Sequence, residues 1–375
     1  MRRTEELAAH NPSWNDWHWQ ISHRIMDADT LSQWLPLTGC EREQISQVLK
    51  LFRMAVTPYY LSLIDPNDPD DPIRRQCIPS IAETAPCTND LLDPLNEDGD
   101  SPVPHIVHRY PDRVLFLVTM ECSEYCRHCT RRRMVGEEDC AISDRELDAA
   151  VAYIRSHEEV RDVLISGGDP LTLSDERLET IIRRLREIPH VDIIRIGTRV
   201  PVVMPMRITE QLLAMLKKYQ PIWINTHFNH VRELTPEAER ACQMIADAGI
   251  PLGNQTVLLK GVNDSTETMK ELMLKLVHNR VRPYYLYQCD LSRGISHFRT
   301  PVETGIRIIH DLQGYISGFA VPKFVIDAPG GGGKVPICYD YVVSHDEKEY
   351  VFENYAGKIY HYPQPPREDS GSQKE

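Results

Sequence analysis

The chain has 375 residues, with 55 acidic against 42 basic side chains and a net charge of −13. That length allows one large α/β domain with extensions or two ordinary domains, and the acidic balance argues against a nucleic-acid partner, because phosphate backbones reward basic faces. No apolar run reaches the roughly 20 residues of a membrane helix, and the start, MRRTEELAAHNPSW, lacks the apolar stretch of a secretory signal, so the expectation is a cytoplasmic enzyme with no membrane partner.

Residues 1 to about 63 carry Trp14, Trp17 and Trp19 and then helical apolar spacing through EREQISQVLKLFRMAVTPYYLSLI, which predicts a helical N-terminal region with the tryptophans as packing residues. From Asp65 to His105 the chain is rich in Asp, Pro and Asn and reads as a long irregular surface connection without chemistry. Residues 1–105 therefore form one unit of the expected organisation.

From residue 114 the short runs VLFLVTM, DVLISGG, IIRIGT, IWINTHF, LGNQTVLL and RPYYLYQ alternate with amphipathic helical segments. Helix starts are marked by Ser143 with Glu146 as a capping box, and by Thr235-Pro236 and Thr300-Pro301 as N-cap followed by proline at the first helical position. Six βα units without a Gly-rich dinucleotide turn favour a barrel-like sheet over a Rossmann sheet, whereas a complete barrel needs eight. Residues 106–336 are assigned to this partial barrel and 337–375 to a C-terminal extension whose tail, PQPPREDSGSQKE, reads as disordered.

In such barrels the reactive groups sit at the C-terminal strand ends. Polar residues gather there: Cys122 onward, Ser166 to Asp169, Thr198-Arg199, Asn225 to His227, Gln255 and Asp290. The run KFVIDAPGGGGKVPI adds one more strand-like stretch ending in Asp327, four glycines and Lys334.

Ten cysteines are spread irregularly through a chain too long to need disulfide staples, and only Cys122, Cys126 and Cys129 are clustered. They directly follow the first strand of the alternation. A closed zinc or iron–sulfur site normally takes four protein ligands, so three leave one metal position for something else. Three structural or zinc-binding cysteines are the other reading of the spacing. The GGGGK run invites comparison with a phosphate-binding P-loop, which needs Gly six residues before the lysine and Ser or Thr after it, whereas Ala328 and Val335 stand there.

The Cys-x3-Cys-x2-Cys spacing resembles the radical S-adenosylmethionine family. The block Glu121-Cys-Ser-Glu-Tyr-Cys-Arg-His-Cys-Thr-Arg-Arg-Arg133 resembles, more narrowly, the lysine 2,3-aminomutase family, over about Arg109 to Pro336 and in WNDWHWQ near the N-terminus. The resemblance implies an α/β fold, a partial (β/α)6 radical-SAM barrel with an N-terminal helical extension. It also implies three cofactors: a [4Fe–4S] cluster on the three cysteines, S-adenosylmethionine on the open iron, and pyridoxal phosphate. By the same likeness Gly167, Gly168 and Asp169 stand where relatives bind the methionine amine, and His128, His227 and Gln255 surround the adenosyl group. Lys334 matches the lysine that carries pyridoxal phosphate, with Arg109 and Arg113 as its phosphate clamp.

Arg131 matches the arginine that holds the substrate carboxylate. Asp290 and Asp327 match the pair that holds a substrate ε-ammonium; in glutamate-specific relatives these positions are basic or neutral. The implied activity is an isomerase that turns L-lysine into L-β-lysine, fed by a reducing donor such as flavodoxin or ferredoxin, in a homodimer or tetramer. Because the last cysteine is Cys338, the C-terminal zinc site of some relatives is not expected. An arginine aminomutase, a translation-factor-linked β-lysine synthase and a non-catalytic metal-cluster protein are the alternatives.

Overall fold

The computed structural model describes residues 3–135 and 140–365. Nine strands form one sheet in sequence order: β1 (Ile106–Tyr110), β2 (Arg113–Thr119), β3 (Asp162–Gly167), β4 (Ile193–Gly197), β5 (Ile222–Thr226), β6 (Leu252–Leu258), β7 (Val281–Gln288), β8 (Lys323–Ala328) and β9 (Gly333–Pro336). β2 to β8 pair in parallel, while β1 and β9 are antiparallel edges. Parallel neighbours need a crossover, and six helices supply it: Asp144–Arg155, Asp175–Arg186, Glu210–Lys217, Pro236–Asp247, Thr266–His278 and Val302–Leu312. The six predicted βα units are all present, and the sheet is a nearly closed partial barrel. Its two edges are bridged by a side chain, with the Lys334 amide on β9 donating to the Tyr110 hydroxyl on β1 at 2.8 Å.

Alternation along the strands divides two environments. Val163 and Ile165 of β3, Ile194 and Ile196 of β4, and Ile222 and Ile224 of β5 are fully buried under the helices, which contribute stripes such as Leu147, Ala150, Val151 and Ile154. The intervening residues Leu164, Ser166, Arg195, Gly197, Trp223 and Asn225 instead line a cavity of about 660 Å³ inside the sheet. A complete eight-stranded barrel fills its interior with branched side chains. Here small or polar inward residues leave the interior open to a ligand.

The three helix starts expected from the sequence follow the capping chemistry with one exception. Ser143 accepts from the Glu146 amide at 3.3 Å while its own amide donates to the Glu146 carboxylate at 2.9 Å, and Thr235 accepts from the Ala238 amide at 3.2 Å. At the last crossover helix the N-cap is Pro301, not Thr300, and no side chain caps it. Thr300 is held outside the helix by Gln288, whose side-chain amide donates to its carbonyl at 2.7 Å.

The N-terminal region is helical as expected, and Trp14, Leu31, Tyr59 and Tyr60 share one hydrophobic core with the barrel helices. Its seam to the barrel includes Thr57, which donates to the Val203 carbonyl at 2.6 Å. The connection from Asp65 to His105 departs from expectation. It folds into a helix at Pro72–Cys77 and a 3-10 turn at Ile81–Thr84, and it buries Asp71, Gln76, Glu83 and Glu97. Its carboxylates are buried because they meet arginines of the barrel.

Beyond the barrel, β10 (Val342–His345), β11 (Glu349–Glu353) and β12 (Ile359–Pro363) make a separate antiparallel sheet. Pro363 of the expected disordered tail closes β12, and residues 366–375 lie outside the described residues. Among the described residues no helix is long and apolar enough to cross a membrane.

The junction after β3 packs closely against the end of β2. The Gly168 amide donates to the Thr119 carbonyl at 2.6 Å, and the Asp169 amide to the Glu121 carbonyl at 2.8 Å. A Cβ on Gly168 would lie 2.1 Å from the Glu121 oxygen, and one on Gly167, at φ +128°, 2.2 Å from the Thr119 oxygen. Gly168→Ala is expected to cost about 1–3 kcal/mol through backbone displacement, read as a lower urea midpoint; an unchanged midpoint would show that the junction yields.

Candidate active site

β2 ends at Thr119, and the loop that follows carries Cys122, Cys126 and Cys129, each partly buried. Neighbouring elements hold this loop in place. The Tyr125 amide donates to the Ala55 carbonyl at 2.9 Å and the Arg127 amide to Gln76 at 2.8 Å. Arg127 also forks onto Glu83 at 2.9 and 2.5 Å, and Arg132 reaches the same carboxylate at 2.6 Å. Burial pushes all three thiols up, so in the bare protein they keep their protons. Iron would displace those protons and compensate the thiolates. Three soft donors on one braced loop fit a cluster.

A residue without a role in the sequence reading sits behind this loop. Arg199, at the end of β4, is 7% exposed. Its guanidinium donates to Cys126 Sγ at 2.8 Å, Glu124 at 3.0 Å, Glu233 at 2.7 Å, Gln76 at 2.8 Å and the Tyr60 hydroxyl at 3.1 Å. The strand-end position was visible in the sequence, but a lone arginine there carries no motif. Glu124 has its carboxyl pushed up to about 7, by burial first, against the lowering effect of Arg199.

The cavity gathers nine of the residues expected from sequence, in three groups. Lys334 on β9 stands opposite Asp327 on β8, and its ammonium lies 3.2 and 3.3 Å from the two Asp327 oxygens and 5.3 Å from the centre of the Tyr287 ring. The glycines before it form the turn of this hairpin. Gly330, Gly331 and Gly333 have φ of +73°, +88° and +78°, a region glycine enters without steric cost, and so permit the reversal between β8 and β9. Asp290 accepts from the Thr130 hydroxyl at 2.5 Å. Burial, with the nearby Asp327 charge adding to it, pushes the Asp290 carboxyl up to about 6.

The second group is cationic and comes already paired. Arg131 forks onto Glu97, with Nε at 3.0 and 2.9 Å and Nη2 at 2.6 Å. Arg109 donates to Asp100 at 2.8 Å and to the Leu95 carbonyl. Arg113 donates to Asp112 at 2.8 Å and stacks 4.1 Å from the centre of the Tyr110 ring. Glu97 and Asp100 both belong to the connection expected to carry no chemistry. Arg109 and Arg113 put two positive charges on one wall, which fits a phosphate.

The third group is His128, His227 and Gln255. Burial, reinforced by the Arg199 charge, takes the His227 imidazole down to about 4 and His128 well below its ordinary value, so both are neutral at pH 7. His128 Nδ1 and Asn225 Nδ2 are buried without a hydrogen-bond partner among the described residues. Both side chains line the cavity, and their spare capacity fits a polar ligand such as the adenosyl group.

Gly167, Gly168 and Asp169 lie outside the cavity wall. The two glycines are needed by the β2 exit described above. Asp169 is 5% exposed and accepts from the Leu171 amide at 3.0 Å, the Thr198 hydroxyl at 2.7 Å and the Arg199 amide at 2.7 Å. Its carboxylate holds the following loop in place.

Residues 309–375 match the family model described as Lysine-2,3-aminomutase, and residues 116–273 match that of the Radical SAM superfamily. L-lysine 2,3-aminomutase of Clostridium subterminale is 59% identical over 352 residues, 94% of this chain and 85% of that one. The Bacillus subtilis L-lysine 2,3-aminomutase is 53% identical over 94% of this chain and 75% of its own length. Glutamate 2,3-aminomutase of Clostridioides difficile is 48% identical over 92% of this chain and 82% of its own length.

Glu83 is the anchor most exposed to test. Burial alone would raise its carboxyl, yet Arg127 and Arg132 hold it below the usual carboxylate value. Its stabilising effect is therefore complete above the ordinary carboxylate pKa and is lost as pH falls through the lowered one. Glu83→Ala is expected to leave two buried guanidinium groups uncompensated and cost about 3–5 kcal/mol, seen as a lower melting temperature at pH 7. A melting temperature within a degree of the parent would contradict the pairing.

Proposed function

The chain belongs to the lysine 2,3-aminomutase family, within the radical S-adenosylmethionine superfamily, and we propose that it moves the α-amino group of L-lysine to the adjacent carbon to give L-β-lysine. It is an isomerase whose cofactors are a [4Fe–4S] cluster, S-adenosylmethionine and pyridoxal phosphate. When bound, the first two supply a carbon radical that takes a hydrogen atom from substrate, and the third carries the migrating nitrogen.

The observation that carries the reading is the grouping of Lys334, Asp327 and Asp290 in the cavity that also holds Arg131. Two buried carboxylates in one pocket repel each other unless a cation joins them. Lys334 supplies that cation in the free chain, and a substrate side-chain ammonium would replace it when Lys334 is engaged with pyridoxal phosphate. Arg131 would take the substrate carboxylate with the edge of its fork that Glu97 leaves open. An amino acid held at both ends cannot rotate, so its β-carbon stays aimed at the hydrogen-abstracting group. A shorter anionic side chain, as in glutamate, would meet two like charges.

The remaining residues set the environment. Cys122, Cys126 and Cys129 would hold the cluster, while Arg109 and Arg113 would clamp the pyridoxal phosphate. His128, His227 and Gln255 would receive the adenosyl group, and the neutral imidazoles add no positive charge beside a sulfonium. Strand and helix walls keep water and stray hydrogen donors from a radical intermediate. The reading carries with it a cytoplasmic address, a low-potential donor such as flavodoxin or ferredoxin, and a homodimer or tetramer. Ile359, Tyr360 and Tyr362, exposed on β12, supply apolar surface for such an assembly.

The direct test is an anaerobic assay of the reconstituted protein with reductant, S-adenosylmethionine and lysine, arginine or glutamate. β-Lysine from lysine alone is the expected result; turnover of arginine in its place would reassign the substrate. Lys334→Ala is expected to abolish turnover and the visible absorbance of covalently held pyridoxal phosphate.

Asp290→Asn and Asp327→Asn each remove a charge-assisted hydrogen bond worth ~1.5–3 kcal/mol, so the lysine KM should rise roughly 10- to 100-fold. Because Asp290 sits raised at about 6, its charge is present above that pH and lost below it. KM for lysine should therefore climb as pH is lowered through about 6, and a flat profile from pH 5 to 8 would contradict the role of Asp290.

A further inference from the structure

Arg199 is a buried cation in contact with a cluster ligand, and it has no place among the residues that would touch substrate. It is absent from the cavity wall. Its backbone is pinned by Asp169, whose carboxylate accepts from the Arg199 amide at 2.7 Å, and its Nε reaches the His227 carbonyl at 3.3 Å. Glu124 and Cys126 Sγ share Nη1, while Nη2 is taken by Glu233, Gln76 and the Tyr60 hydroxyl. The four partners other than the sulfur hold both terminal nitrogens of the guanidinium and so fix it against Cys126.

We propose that Arg199 is a positioning residue that sets the reduction potential of the iron–sulfur cluster, by donating an N–H···S bond and presenting a fixed positive charge to Cys126. The step affected is transfer of one electron from a low-potential donor to the cluster, with no bond made or broken in the protein. Reduction adds one negative charge to the cluster, so a cation in a dry setting stabilises the reduced form more than the oxidised form. A hydrogen bond to a ligating sulfur favours the reduced cluster, as an added positive charge does, whereas exclusion of water by itself opposes reduction. Arg199 therefore makes the cluster easier to reduce than the three thiolates alone would allow. Lysine at this position would keep the charge but could not reach sulfur and carboxylates together, because an ammonium lacks the planar fork.

This inference rests on the reading of the three cysteines as cluster ligands. The test is an EPR-monitored redox titration of the full chain, reconstituted anaerobically, without S-adenosylmethionine or lysine. Arg199→Gln is expected to make reduction at least tenfold less favourable, a shift of about 59 mV to more negative potential for one electron. Arg199→Lys should shift less in the same direction. A cluster of normal content with an unshifted potential in both variants would overturn the proposal while leaving the cofactor reading intact.

Should the variants fail to fold, the parent chain labelled with 15N-arginine provides the measurement. Its reduced cluster should show a 15N coupling and an exchangeable-proton coupling by ENDOR, and absence of both overturns the proposal. If no cluster assembles on the parent chain, this inference and the cofactor reading fall together.

Discussion

The guanidinium of Arg199 is the point on which three parts of the molecule converge. It joins the cysteine loop through Cys126 and Glu124, the chain before the barrel through Tyr60 and Gln76, and the turn after β5 through Glu233. A buried charge of this kind is tolerated only when its hydrogen bonds are complete, since an unpaired one costs several kcal/mol. Completeness here requires the helical region, β4 and the cysteine loop to be in place together. Glu233 shows the same logic from the other side: it accepts from Tyr60, Arg199 and the amides of Asn229 and His230. The geometry of a loop that must present three thiols thus depends on ion pairing well outside it.

Arginine–carboxylate pairing is also how the connection from Asp65 to His105 becomes part of the site. Glu83 braces Arg127 and Arg132, Glu97 holds Arg131, and Asp100 holds Arg109. Each pair orients a planar fork before any ligand arrives, which lowers the entropy lost on binding. The segment is largely irregular because its work is to deliver carboxylates at set positions, and no single helix or strand would place residues 83, 97 and 100 against four different arginines.

An open interior is the second condition for function. Outward residues of the parallel strands are branched and apolar, and the helices cover them. Inward positions alternate with these and include Ser166, Gly197, Asn225 and Gly253, too small to fill the space. With β1 and β9 as antiparallel edges and Tyr110 bridging to Lys334, the sheet curves without closing on a packed core. Lys334 sits at that seam, facing Asp327 across the hairpin, in the cavity that residues from β6 and β7 also line.

Local pattern in the chain was sufficient for the βα alternation, the capping residues Ser143 and Thr235, the cysteine spacing and the lysine after four glycines, because each is written within a few neighbouring residues. Thr300 is not the cap its sequence suggests: the helix begins one residue later, and Gln288 of β7 binds the Thr300 carbonyl. Gly167 and Gly168 stood out in the sequence only through family likeness, and the crowding they relieve comes from the backbone of Thr119 at the end of β2 and of Glu121 beyond it. Only the tertiary structure decided that Glu83, Glu97 and Asp100 belong to the site and that Arg199 touches Cys126. Those contacts join residues between 9 and 73 positions apart, and pairing at that range leaves no periodicity in the sequence. The chemistry was spelled out in short motifs; its electrostatic support was set by which distant charges the fold forced into one dry space.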